Sequence, residues 1–341
     1  TMKVAAVLGE HQAGVVEVPD PIPKEDWVVV KIHASPMCTE YHAFEHGYKT
    51  DGLGHEAAGE VVDMAQPGKV EIGDRVVVMP QYPCGKCALC TDGDYIHCEN
   101  NYNFEEFVGT RHGSATMAQY ILKPSWLLPK IPDDVSYEHA SLACCALGPS
   151  YRAFDEMGVN ATHTVLITGI GPVGFGAIAN ARFRGAKVIA AELIPWRAER
   201  AKQMGVEAVI NPTDEDAVDQ IRDLTTDGRG VDFALDCSGN VHAHRLCIDT
   251  TRRRGTIAFV GQSGTNDTIL HVSPDLIGKG LRLMGAWHYN LNQFPGLMKV
   301  IEGSPLLDLL ISNIFPMREI QKAFETSASQ ESSKIILKPW E

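Results

Sequence analysis

Residues 163–192, HTVLITGIGPVGFGAIANARFRGAKVIAAE, decide the fold. Val165 to Thr168 is an apolar, β-branched run of strand length. It leads straight into Gly169-Ile170-Gly171-Pro172-Val173-Gly174, then into an alanine-rich stretch of helical length. A second apolar run, Lys187 to Ala191, ends at Glu192. A G-x-G-x-x-G string alone specifies little. Here it follows a strand, opens a helix and has a carboxylate about 20 residues on, the full setting of a dinucleotide site. Gly169 is expected to make the tight turn and Gly174 to let helix and strand pack closely. Gly171, with Pro172 and Val173 after it, is expected to bring the pyrophosphate to the helix N-terminus, where free N–H groups favour anions. Glu192 is expected to accept hydrogen bonds from the adenosine ribose. Its charge repels a 2′-phosphate, so NAD is expected rather than NADP. Arg197 stands near enough to pair with a phosphate, though such an arginine more often covers the adenine face.

Working outward, strands and helices continue to alternate after Glu192. "VEAVINP", "VDFALDCSG", "RRGTIAFVG" and "LRLMGAW" read as strands, and "DEDAVDQIRDLT" as an amphipathic helix. This alternation predicts a doubly wound parallel sheet over 151–289, an α/β architecture with both faces covered. Residues 1–125 differ: "WVVVKIHA", "AAGEVVDM", "DRVVVMP" and "AQYILKP" have all-β character. The closing helix and "SKIILKPW" strand are expected to return to that first domain, giving it 1–150 and 290–341.

Four thiols stand close together at Cys84, Cys87, Cys90 and Cys98, a C-x2-C-x2-C-x7-C spacing inside a lobe at about 80–110. Four thiolates on one loop can wrap a zinc ion tetrahedrally and leave no open position, so this site is expected to be structural. The composition, 44% hydrophobic and 21% charged, is globular. A net charge of −13 works against nucleic acid and anionic membranes, and no apolar run approaches a membrane span. The opening "TMKVAAVLGEHQAGVVEV" has no signal-peptide pattern. A cytoplasmic protein with reduced cysteines is therefore expected.

A β-rich domain with a thiolate lobe, followed by a Rossmann domain, resembles the zinc-dependent medium-chain dehydrogenase/reductase superfamily. The resemblance rests on "GHEAAGEVV" at 54–62, the four-cysteine loop, "GIGPVG" and the closing "FPMREIQKAFE…KIILKP". It implies a GroES-like catalytic domain, two zinc ions per chain, and NAD-dependent oxidation of an alcohol. It also implies a homodimer or homotetramer. Position by position, "ASPMCTEYH" puts Cys38 on a catalytic zinc, and "GHE" supplies His55. Glu56 becomes either a further ligand or a group beside the site. Cys145 matches the third ligand, with Cys144 beside it as the alternative. Thr39 and His42 match a proton relay, and Glu40 a carboxylate that holds His55. The sequence departs from the pattern twice. "CTEYH" is one residue short, which bears on the roles of Thr39, Glu40 and His42. The Cys38–His55 interval is also trimmed, to a loop rich in Glu, His, Tyr and Lys. That loop points to a polyol, sugar or cyclitol substrate, while a cysteine at the third ligand position points to a simple secondary alcohol. A non-catalytic nucleotide-sensing protein and a zinc-free reductase on the same fold are the other readings.

Overall fold

The computed structural model describes residues 1–341, and the chain divides into two compact units. The first comprises Thr1–Cys145, Asn290–Glu302 and Ile311–Glu341. Its sheet runs in the order Ile311–Pro316, Lys334–Lys338, Trp27–Pro36, Ala57–Met64, Arg75–Val78, with Tyr120–Pro124 also paired to Trp27–Pro36. Most pairings are antiparallel, and Ile311–Pro316 joins Lys334–Lys338 in parallel. Because successive strand residues face opposite sides, the central strand serves two cores. Val28, Val30 and Ile32 pack with Ala57, Val61, Val76 and Val78. Trp27 and Val29 pack with Phe104 and Leu122, and the Trp27 ring stacks on Tyr82 at 5.3 Å. This unit is not purely β: short helices at Tyr41–His46, Ala88–Thr91 and Phe104–Val108 interrupt it.

The second unit comprises Ala146–Tyr289 and Gly303–Leu310. Its six strands lie in the order Arg282–Gly285, Thr251–Phe259, Val231–Asp236, Thr164–Thr168, Lys187–Ala191, Ala208–Ile210, and every neighbouring pair is parallel. The chain winds one way from Thr164–Thr168 and the other way from Val231–Asp236. The boundary between those two strands is thus the topological switch point, outside whose carboxyl ends such sheets bind ligands. The helix Pro172–Phe183 follows the first strand, and its Ala177, Ile178, Ala179 and Ala181 are fully buried. Residues 303–310, expected in the first domain, pack here instead. Gly303 lies against the Phe183 ring, and Arg200 Nε donates to the Leu309 carbonyl at 2.9 Å. No helix is long and apolar enough to cross a membrane.

Candidate active site and metal centres

Three loops of the first unit converge four donor side chains. Cys38 lies just beyond the end of the strand Trp27–Pro36, where the Glu40 carboxylate accepts its backbone N–H at 2.6 Å. His55 and Glu56 precede the strand Ala57–Met64. Gly54 makes that approach possible: its φ is +89°, and a Cβ there would lie 2.9 Å from the Met117 backbone nitrogen. Cys145 sits in the turn between the helices Tyr137–Ser141 and Gly148–Met157, and its N–H donates to Glu56 Oε2 at 3.0 Å. One ligand atom from each of Cys38, His55, Glu56 and Cys145 falls within 4.8 Å of all the others.

The ring of His55 is held at both nitrogens. Nδ1 lies 3.0 Å from Glu40 Oε1, and Nε2 lies 3.1 Å from Cys145 Sγ. A carboxylate can only accept, so Nδ1 carries a proton and Nε2 is turned to the cluster. Cys144 is excluded from the set. Its buried thiol points to the Val78 carbonyl, 3.5 Å away. Behind the cluster, fully buried Lys334 donates to the Met37 carbonyl at 3.0 Å and forms an ion pair with fully buried Glu56. Sequence reading missed Lys334. The available signal was a lysine opening an apolar strand, "KIILK", in a segment read as a strand of the first domain.

The electrostatics of this cluster call for a cation. The hydrogen bond from Cys145 holds the Cys38 thiol well below its ordinary pKa and pushes Cys145 well above. Burial opposes charging of His55, but Cys38 and Glu40 outweigh it and raise the imidazole to about 11. Burial lifts the Glu56 carboxyl to about 7 against the pull of Lys334. Protons are thus gripped by anionic donors at the position a metal would take. Two sulfurs, an imidazole and a carboxylate are a donor set suited to zinc.

Thr39 and His42 stand apart from this geometry. Both are exposed, and His42 Nδ1 lies 3.6 Å from Glu45 on its own helix.

Cys84, Cys87, Cys90 and Cys98 form a second cluster within the same 4.8 Å limit. Backbone N–H groups of Cys84 and Asn100 point at Cys98 Sγ, and that of Cys87 at Cys84 Sγ, each at 3.3 Å. Such donors favour thiolates, and those of the loop backbone, Cys90 first, lower Cys87 to about 6. None of the nine cysteines is in a disulfide.

In the second unit the loop Gly169–Gly174 joins strand to helix. Gly169 has φ +76°, and a Cβ there would strike Ser238 at 2.5 Å. Gly171 caps the helix, and an Arg197 guanidinium nitrogen lies 3.7 Å from where its Cβ would be. Pro172 and Val173 occupy the first helical turn. Glu192 is engaged in a way the sequence did not suggest. Its carboxylate accepts from Ile170 N at 2.6 Å and from Leu193 N and Ile194 N at 2.8 Å each. It therefore braces the glycine loop against the end of the second strand.

Residues 24–133 match the alcohol dehydrogenase GroES-like domain and residues 172–303 match the zinc-binding dehydrogenase domain. Sorbitol dehydrogenase of Bacillus subtilis (strain 168) is 30% identical over 99% of this chain and 97% of its own. L-threonine 3-dehydrogenase of Pyrococcus horikoshii is 32% identical, covering 94% and 93%. The alcohol dehydrogenase TADH of Thermus sp. ATN1 superposes with a TM-score of 0.87 at 25% identity, covering 98% and 99%. With thiolate clusters and phosphate loop in these positions, and relatives spanning nearly its whole length, the chain belongs to the zinc-dependent medium-chain dehydrogenase/reductase superfamily.

Proposed function

We propose that the protein oxidises a secondary hydroxyl of a polyol, sugar or cyclitol with NAD. The cluster of Cys38, His55, Glu56 and Cys145 carries this reading. A zinc ion held by those residues supplies the Lewis acidity that lowers the pKa of a substrate hydroxyl, and NAD supplies the hydride acceptor. Glu40 fixes the tautomer and direction of His55. Lys334 offsets one negative charge of the donor set through Glu56. The hydroxyl proton leaves on the solvent side of the Cys38 loop, where Thr39 and His42 are exposed. At the second unit, the N-terminus of the helix Pro172–Phe183 takes the pyrophosphate, aided by Arg197. Glu192 keeps one oxygen with spare acceptor capacity for the ribose. Cys84, Cys87, Cys90 and Cys98 hold a second, structural zinc.

The polyol preference is supported by the sorbitol dehydrogenase relative and by the loop after Cys38, whose His42, His46, Tyr48 and Lys49 are exposed. Cys145 supports a second reading, a simple secondary alcohol, through the third ligand position. The test is NADH formation by zinc-replete protein across simple secondary alcohols, linear polyols, free sugars, cyclitols and L-threonine. Turnover of polyols or cyclitols is expected. Turnover confined to simple alcohols or to threonine would overturn the substrate reading, and silence across the panel would overturn the reaction itself.

A further inference from the structure

The second unit contains a buried polar chain that neither metal cluster nor the phosphate loop uses. His244, on the helix Val241–Thr250, is almost fully enclosed. Its Nε2 lies 3.1 Å from Asp236 Oδ2, and its Nδ1 lies 2.6 Å from Thr268 Oγ1. The carboxylate can only accept, so Nε2 carries a proton, and Nδ1 pairs with the threonine hydroxyl.

Asp236 is a hub. It ends the strand Val231–Asp236, beside the switch point. Its Oδ1 accepts from Thr168 Oγ1 at 2.8 Å and from Ser238 Oγ at 2.6 Å, and its Oδ2 accepts from Gly239 N at 2.9 Å. Thr168 immediately precedes the phosphate loop, and Ser238 is the residue that Gly169 packs against. The backbone carbonyl of Asp236 accepts from Gly261 N at 3.0 Å, at the start of the segment 261–271. One carboxylate residue therefore ties together the turns at the carboxyl ends of three adjacent strands. That segment is mostly exposed; near its far end Thr268 anchors it by a side-chain hydrogen bond, and Leu270 packs against the core.

We propose that His244 is a positioning residue for the nucleotide: it latches the segment 261–271, through Thr268, to the Asp236 carboxylate that organises the phosphate-loop turns. This rests on reading that edge of the sheet as the dinucleotide crevice. With the latch closed, the segment beside the crevice is ordered before the nucleotide arrives. With it open, only the closed fraction binds, and apparent affinity falls by that fraction. No atom of the latch reacts, so the loss falls on the nucleotide and not on the alcohol.

The test uses Thr268→Val, which keeps shape and removes the hydroxyl, Thr268→Ser, which keeps the hydroxyl, and His244→Phe. NADH affinity is measured by calorimetry, and amide hydrogen exchange is followed in the 261–271 peptide. Thr268→Val is expected to weaken NADH binding about three- to tenfold, the range one ordinary hydrogen bond produces. It should also speed exchange in the free protein, with saturating NADH restoring protection and the KM for the alcohol moving less than twofold. Thr268→Ser should restore affinity. NADH binding by Thr268→Val within twofold of wild type overturns the latch, whether or not exchange changes, and this variant still decides if His244→Phe fails to fold. Wild-type protein that binds no NADH would instead overturn the dinucleotide reading, and the latch with it.

Discussion

Glu56 and Lys334 form an ion pair with no exposed surface on either side chain, 278 positions apart in the chain. Burying each charge alone would cost several kcal/mol, and the pair survives because each offsets the other's desolvation. Lys334 also donates to the Met37 carbonyl, one residue before Cys38, so it fixes the ligand loop as well as the carboxylate. Lys334→Met leaves Glu56 buried beside two thiols, with the His55 ring, 3.9 Å away, as its remaining charge partner. A loss of about 3–5 kcal/mol is expected, read as a lower urea midpoint. Glu56→Gln combined with Lys334→Met should regain part of it, since the double change removes both charges. A single variant with the wild-type midpoint would mean that the pair does not secure the loop.

A related problem arises within one strand. Tyr120–Pro124 pairs with Trp27–Lys31, and its Lys123 is buried with no carboxylate partner. The ammonium donates to the Gln81 carbonyl at 2.7 Å and lies 3.9 Å from the centre of the Tyr82 ring. These contacts do not match lost hydration, and burial pulls Lys123 from 10.5 to about 7. The unfolded chain therefore takes up this proton below about pH 10.5 and the folded one only below about pH 7. Stability falls as pH drops across that window and is flat beneath it. At about 1.4 kcal/mol per pH unit, the penalty reaches several kcal/mol, more than the roughly 1–3 kcal/mol of a carbonyl left without its donor. Lys123→Met should thus raise the urea midpoint at pH 7, with an advantage that shrinks by pH 9.5. An advantage equal at both pH values would show that packing, not charge, is responsible. The strand was legible from "AQYILKP", but the burial of its lysine was not, because the acceptor lies 42 positions away. The same division runs through the candidate site. The thiolate spacing and the phosphate loop are local patterns and could be read directly. The engagement of Glu192 by three backbone N–H groups, and the choice of Cys145 over Cys144, depend on turns that bring distant atoms together.

Across the whole molecule, the eight clustered ligand residues form two sets in one unit, and the sets differ in what their loss should do. Cys38, His55, Glu56 and Cys145 come from loops that a sheet and its cores already hold in place. Between Cys84 and Cys98 the chain has only a four-residue helix and a single 3-10 turn. On the proposed reading a metal cross-links this stretch, and its binding energy is folding energy. Cys145→Ser is therefore expected to abolish turnover while leaving soluble yield and melting temperature close to wild type. Cys84→Ser is expected to cut soluble yield and lower the melting temperature of what remains. Elemental analysis should give about two zinc ions per chain in the wild type and about one in each variant. NADH affinity should persist in Cys145→Ser, because every residue of the phosphate loop lies in the other unit. If both variants kept two zinc ions, the clusters would not be the metal sites. If both lost yield equally, the division into a reactive and a structural centre would fail.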